Sequence, residues 1–292
     1  MKFLLTGADG QLGQSFAAEI ASHNDIELCT YSRATLDITR EQDIESALNR
    51  VCPDFVINTA AYTQVDMAET EKQRAFAVNQ TGPANLARQC ASRHIPLVHF
   101  STDYVFDGAC STPWREEDVP APLNTYGASK LAGEREIQRL CQKYLIFRTS
   151  WLFSPFGSNF VTTMLGLGAE RSELNIVSDQ HGRPTSAMEL ARLLLAILPR
   201  VDGQWGVYHI AQPEVTSWFD FAKSIFVEAN QQGFELAIQQ VNPIASSEYP
   251  TVALRPTHSG LSCEKFEKTF GLSPEPWRKS LIKVLGRLQI DD

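Results

Sequence analysis

The sequence predicts an α/β protein, with a doubly wound parallel sheet over residues 1–150 and a smaller C-terminal α/β half over 151–292. Three observations predict it. Short runs that are apolar on consecutive residues alternate with helix-period segments through the first half, the pattern of a parallel sheet covered on both faces. Gly7, Gly10 and Gly13 stand between the first strand and the first helix, at the turn where such sheets bind ligands. The 292 residues are 43% hydrophobic and 21% charged, enough apolar chain to bury a large core and too little charge density for a disordered one.

The elements follow in order. Lys2–Thr6 reads as a buried strand, and Gln11 to Ser22 as a helix with Leu12, Phe16, Ala17 and Ile20 on one face. A second strand covers Ile26 to Tyr31. A helix covers Glu41 to Arg50, with Thr39 as its N-cap. Asp54 to Asn58 is a third strand, followed by one long helix over Thr70 to Ser92. Pro96 to Ser101 is a fourth strand, Tyr126 to Gln142 a helix, and Leu145 to Thr149 a fifth strand. Between them, Thr112 to Asn124 carries three prolines and three acids and reads as a surface loop. Beyond Trp151 the rhythm loosens into helices over 160–167, 187–198, 218–231 and 277–288. Short strands at 175–177, 206–210 and 237–241 lie among them, and one of them is free to return to the main sheet.

Charge and cysteine usage exclude other classes. The net charge is −8 and no basic run occurs, so a nucleic-acid polymer is not an expected partner. No run reaches the ~18 consecutive apolar residues of a spanning helix, and the apolar N-terminal run is too short for a signal-peptide core. The six cysteines show no C-x-x-C pair. They read as reduced thiols of a cytoplasmic protein.

The glycine turn has the spacing G-x-x-G-x-x-G, a variant of the dinucleotide fingerprint of Rossmann-type folds. Its glycines permit the tight turn, the close approach of a pyrophosphate and close helix–strand packing. The helix start adds free N–H groups and a partial positive charge. NAD-binding folds usually carry an acid about 20 residues on, at the tip of strand 2. Here that tip reads Thr30-Tyr31-Ser32-Arg33. Ser32 and Arg33 suit a 2′-phosphate, which favours NADPH over NADH; the alternative is that Arg33 is a solvated loop residue. Small residues after strand 3, Ala60 and Ala61 before Tyr62, either let a dinucleotide cross the backbone or serve close strand–helix packing.

Tyr126 and Lys130 are i and i+4 and share a helix face. A cation beside a tyrosine favours the phenolate and lowers its pKa, so the pair suits proton transfer. Thr102, at the end of strand 4, is placed to hydrogen-bond the same substrate oxygen.

With Thr102 and Tyr126-x-x-x-Lys130, the glycine turn resembles the extended short-chain dehydrogenase/reductase superfamily. Longer runs are similar to the dTDP-4-dehydrorhamnose reductase family within it: Ser101 to Gly108, Asn124 to Glu134, Phe147 to Trp151, Asp179 to Thr185, and Arg255-Pro256. The resemblance implies hydride transfer from NAD(P)H to C4 of dTDP-4-dehydro-β-L-rhamnose. It makes Tyr126 the general acid, has Lys130 orient the nicotinamide ribose and lower the Tyr126 pKa, and has Thr102 polarise the carbonyl. It places Asp103, Tyr104 and Trp151 with the substrate, and Gly10, Gln11 and Leu12 at the pyrophosphate. Ala60, Ala61 and Tyr62 go to the nicotinamide half, Asp37 and Ile38 near the adenine, and Asn79 behind the site. Arg255 either reaches a diphosphate bidentately or forms an ion pair.

The resemblance also reaches another 4-keto nucleotide-sugar reductase and the non-catalytic regulatory subunits of methionine adenosyltransferase. Some members of the family bridge a homodimer with a carboxylate-bound metal such as Mg²⁺. Here Gln14 and Ser15 occupy the positions after the glycine turn, which leaves Glu189 and the terminal acids as the available ligands. The six histidines have no metal-ligand spacing, and core or surface roles are expected for them.

Overall fold

The computed structural model describes residues 1–21 and 25–289. The expected helix end at Ser22, His23 and the terminal acids Asp291 and Asp292 lie outside them. From the N-terminus come β1 (Lys2–Thr6), α1 (Gln11–Ile20), β2 (Glu27–Tyr31), α2 (Glu41–Val51) and β3 (Phe55–Asn58). Then follow α3 (Val65–Ala68), α4 (Lys72–Phe76), α5 (Gly82–Ser92), β4 (Leu97–Thr102), α6 (Thr125–Leu140) and β5 (Tyr144–Thr149). The second half holds β6 (Leu152–Phe153), α7 (Phe160–Glu170), β7 (Glu173–Val177), β8 (His181–Gly182), β9 (Thr185–Ser186) and α8 (Ala187–Ile197). It closes with β10 (Gly206–His209), β11 (Thr216–Ser217), α9 (Trp218–Gln231), β12 (Gln240–Ile244), α10 (Glu264–Phe270) and α11 (Trp277–Leu288).

The main sheet is six parallel strands in the order β10-β5-β4-β3-β1-β2. Successive side chains point to opposite faces, so Phe3 and Leu5 meet Phe16 and Leu194 on the α1/α8 side. Leu4 meets Leu48 and Leu86 on the α2/α5 side. Both faces are apolar because both are covered, which confirms the doubly wound arrangement. β10 returns from the second half to pair with β5. A separate cluster holds the second half together: Phe153, Met164, Phe221, Trp277 and Leu281, drawn from β6, α7, α9 and α11.

Three expected elements are corrected. The long helix over 70–92 is broken into α4, a π-helical turn at Ala77–Thr81 and α5. Pro83, at the first turn of α5, has no N–H to continue a straight α-helical ladder. Thr39 does not cap α2: its hydroxyl donates to Asp37 at 2.8 Å, and Arg40 stands at the N-cap. The strand expected at 237–241 lies at Gln240–Ile244 and pairs in parallel with β7, its Pro243 tolerated in a two-stranded ribbon.

Candidate active site

The chain leaves β1 toward β2 and leaves β3 toward β4, so a crevice opens at the carboxyl ends of these neighbouring strands. Gly7 turns the chain there with φ +73°, and a side chain on it would place Cβ 2.5 Å from the Ala60 nitrogen. A Cβ on Gly13 would lie 2.4 Å from the Gly7 carbonyl oxygen. Glycine is thus required at both positions, and α1 is drawn tight against β1. Gly10 is the N-cap of α1 and makes no side-chain cap, which leaves the first N–H groups facing the crevice.

A groove of about 220 Å³ is lined by Gly7, Gly10, Arg33, Asp37, Ile38, Ala60, Ala61 and Tyr62. These are eight of the residues expected at the cofactor. Gln11, Leu12, Ser32 and Asn79 do not line the groove. Leu12 is in the core beneath α1. The Gln11 side chain accepts a hydrogen bond from Ser154. The Ser32 backbone closes a turn with Thr35. Asn79 clamps the Tyr62 backbone, accepting from its N–H at 2.8 Å and donating to its carbonyl at 3.0 Å. Asn79 therefore shapes the groove without lining it.

The catalytic row stands beside this groove. Asn124 caps α6, accepting from the Gly127 N–H at 2.8 Å. Gly127 and Gly133 let the helix approach closely: a Cβ would lie 2.1 Å from the Tyr104 carbonyl oxygen and 2.0 Å from that of Asn79. Tyr126 thus packs on one side against the buried cluster of Tyr62, Ala68 and Ala75. On the other side its ring meets Tyr104 edge-on at 5.9 Å. The Thr102 hydroxyl donates to Asp103 at 3.0 Å and accepts from the Tyr104 N–H at 3.1 Å. Burial pushes the Asp103 carboxyl up to about 7. Once protonated, that carboxyl can donate to Thr102 and free the hydroxyl hydrogen for a substrate carbonyl.

Tyr126 is pushed up to about 12, chiefly by burial; the Thr102 hydroxyl opposes the rise and the Asp103 charge adds to it. The influences on Tyr126 are burial, Thr102 and Asp103, and Lys130 is turned to other partners. Its buried amine donates to the Phe100 carbonyl at 2.6 Å and lies 3.4 Å from His99 Nε2. Burial lowers Lys130 itself to about 8, against a raising influence of Glu134.

A second cavity of about 630 Å³, within the size range of ligand pockets, is lined by Phe160, Arg171, Asn175, Gln180, Trp218, Tyr249 and Arg255 among others. Trp151 is not among them. Its left-handed backbone, φ +46°, sets the indole against Gly182. Trp218 stacks on that indole at 3.5 Å and presents the aromatic face to the cavity. Trp218 was not foreseen from the sequence, where it reads only as the first residue of a helix. Arg255 lines the cavity and also holds Asp66 bidentately at 2.7 and 3.1 Å, the ion pair that was one of its two expected roles.

Glu189, expected as a Mg²⁺ ligand, has both carboxylate oxygens engaged. Both Glu189 oxygens are taken by Arg192 at 2.7 Å, and one also accepts from the Glu275 N–H at 3.0 Å. Ser15 is fully buried and donates to the Gln11 carbonyl. Among the described residues, no group of three or more His, Cys, Asp or Glu side chains is placed to hold a metal. Nor is any helix there long and apolar enough to cross a membrane.

Known proteins share this arrangement along the whole chain. The family described as "RmlD substrate binding domain" matches residues 1–290. The dTDP-4-dehydrorhamnose reductase of Aggregatibacter actinomycetemcomitans is 39% identical over 97% of this chain and 98% of its own. The crystal structure of a dTDP-4-dehydrorhamnose reductase from Clostridium acetobutylicum superimposes with a TM-score of 0.93 at 37% identity, covering 99% of this chain and 100% of that one. That of the Bacillus anthracis enzyme, in complex with NADP, gives 0.91 at 35% identity, covering 100% and 99%. Family match, sequence identity and superposition agree from end to end, and the chain belongs to the RmlD substrate binding domain family, alongside the dTDP-4-dehydrorhamnose reductases.

Proposed function

We propose that the chain reduces the C4 keto group of dTDP-4-dehydro-β-L-rhamnose with NAD(P)H, giving dTDP-β-L-rhamnose, the last step in making that sugar nucleotide. One observation carries the reading. Tyr126 packs against the cluster that holds Tyr62 of the first cavity, and its ring meets Tyr104, which feels the charge of Arg255 of the second. An acid in that position serves a cofactor on one side and a sugar nucleotide on the other.

The glycine cradle and the free N-terminus of α1 fit a dinucleotide pyrophosphate, with Ala60 and Ala61 leaving room for the chain of the cofactor. Arg33, exposed at the groove rim, suits a 2′-phosphate and favours NADPH, with NADH the alternative. The cofactor, when bound, supplies the hydride. The protein's share is placement and protons. Thr102 donates to the carbonyl oxygen where negative charge develops. Tyr126 hands its proton to the resulting alkoxide, and Lys130 holds the ribose beside it. A tyrosine pushed up to about 12 by burial arrives fully protonated. An alkoxide is the stronger base, so the transfer runs downhill without a depressed pKa.

The division of labour, residues 1–150 for the cofactor and 151–292 for the substrate, belongs to the same proposal, with β10 lent to the first half. So do a cytoplasmic location and a homodimer. The test is Tyr126→Phe. Its kcat should fall by about 10²–10⁴-fold while NADPH affinity and the unfolding midpoint stay unchanged. Near-normal turnover would refute the assignment.

A further inference from the structure

A row of polar side chains crosses the buried sheet directly beneath the catalytic lysine. Thr6 of β1, Asn58 of β3 and His99 of β4 are register partners on adjacent strands, so they share one face. They are 0%, 1% and 0% exposed, and Lys130 of α6 is 3% exposed. Buried polar groups persist only when satisfied, and the bonding here leaves one consistent arrangement. The Ala60 backbone N–H can only donate, and it donates to Asn58 Oδ1 at 3.2 Å. The Thr6 hydroxyl donates to the same oxygen at 2.7 Å. The Asn58 amide nitrogen must therefore face His99, 2.9 Å from Nδ1. An amide nitrogen only donates, so Nδ1 carries the lone pair. Burial and the nearby lysine hold His99 far below the usual histidine range, in its neutral form. A neutral imidazole with an accepting Nδ1 carries its hydrogen on Nε2, the nitrogen 3.4 Å from Lys130 Nζ.

We infer that His99 is a positioning residue for Lys130: Asn58 and Thr6 fix its tautomer so that an N–H points at the lysine and favours the amine over the ammonium. Lys130 then has an acceptor, the Phe100 carbonyl, for one of its own hydrogens and a donor for its lone pair. In the proposed reaction Lys130 holds the cofactor ribose beside Tyr126, and His99 sets how readily the lysine gives up its proton. Of the other ionisable groups, Glu134, one turn along α6, acts on Lys130. Glu134 is held in a buried pair by Arg148 of β5.

This inference rests on the proposed cofactor, and two measurements test it. In ¹⁵N-histidine-labelled wild type, His99 should show a protonated Nε2 and an unprotonated Nδ1 throughout pH 6–9, a range set about the shifted value of Lys130 near 8. Asn58→Asp replaces the facing donor with an acceptor, moves the hydrogen to Nδ1 and turns the Nε2 lone pair toward Lys130. Its NADPH affinity, which in wild type should weaken above about pH 8 as Lys130 loses its proton, should then hold to about one pH unit higher, a tenfold change in proton affinity. A wild-type His99 protonated on Nδ1 would overturn the inference, as would a swapped tautomer with an unmoved midpoint. Absence of NADPH binding by the wild type at neutral pH would instead refute the proposed function.

Discussion

In the proposed reaction Tyr126 must hold its proton until hydride has moved, and its burial secures that. The sequence alone suggests a tyrosine softened by Lys130, because i and i+4 share a helix face. The structure instead ties Lys130 to Phe100 and His99. Spacing along one helix is visible in sequence; a partner from a neighbouring strand is not. The same distinction runs through the site. Gly7, Gly10, Thr102 and Tyr126 were legible because their roles are local. The Thr6–Asn58–His99 row, the Asn79 clamp and Trp218 were not, because cross-strand register and tertiary stacking create them. Arg33 was legible as the basic residue at the tip of strand 2, and it lies exposed at the groove rim. Arg33→Ala should lower kcat/KM for NADPH by about tenfold, the worth of one charge-assisted contact, and leave NADH unchanged. Steady-state rates with the two cofactors check this, and an equal loss for both would show that Arg33 does not read the 2′-phosphate.

Helix α6 carries the active site because it lies unusually close to its neighbours. Gly133 meets the π-helical turn at Asn79 with no room for a methyl group, since a Cβ would sit 2.0 Å from the backbone oxygen. Alanine in a helix interior is otherwise favoured over glycine by about 1 kcal/mol. Overpacking costs about 1–3 kcal/mol and here displaces backbone against backbone, so the contact outweighs propensity. Gly133→Ala is therefore expected to destabilise the protein by about 1–2 kcal/mol in urea unfolding. It should also weaken NADPH binding, because Asn79 holds Tyr62 at the groove. The π-helical turn explains why the sequence reads as one long helix. The apolar period over 70–92 is continuous enough, and only Pro83 marks the break.

The two halves meet over the cleft, and Arg255 joins them. Its guanidinium spans from the second cavity to Asp66 in the first half. The parallel sheet was legible from its doubly apolar strands. The second half was read only as scattered helices and strands, because its pairs are two-residue or five-residue ribbons held by side-chain packing. Arg255→Ala should raise KM for the sugar nucleotide by about tenfold or more, with a smaller change in kcat, as expected for uniform binding to a diphosphate. Unchanged KM would leave Arg255 as an ion-pair residue alone. The net charge of −8 makes such local donors necessary, since two anionic ligands must enter an acidic protein.

The most direct measurement uses the purified protein alone. NADPH oxidation is followed after adding dTDP-4-dehydro-β-L-rhamnose, and the sugar product is identified. Stoichiometric oxidation with formation of dTDP-β-L-rhamnose is the predicted result. A protein that binds NADPH but leaves it unoxidised in the presence of the 4-keto sugar nucleotide would contradict the account.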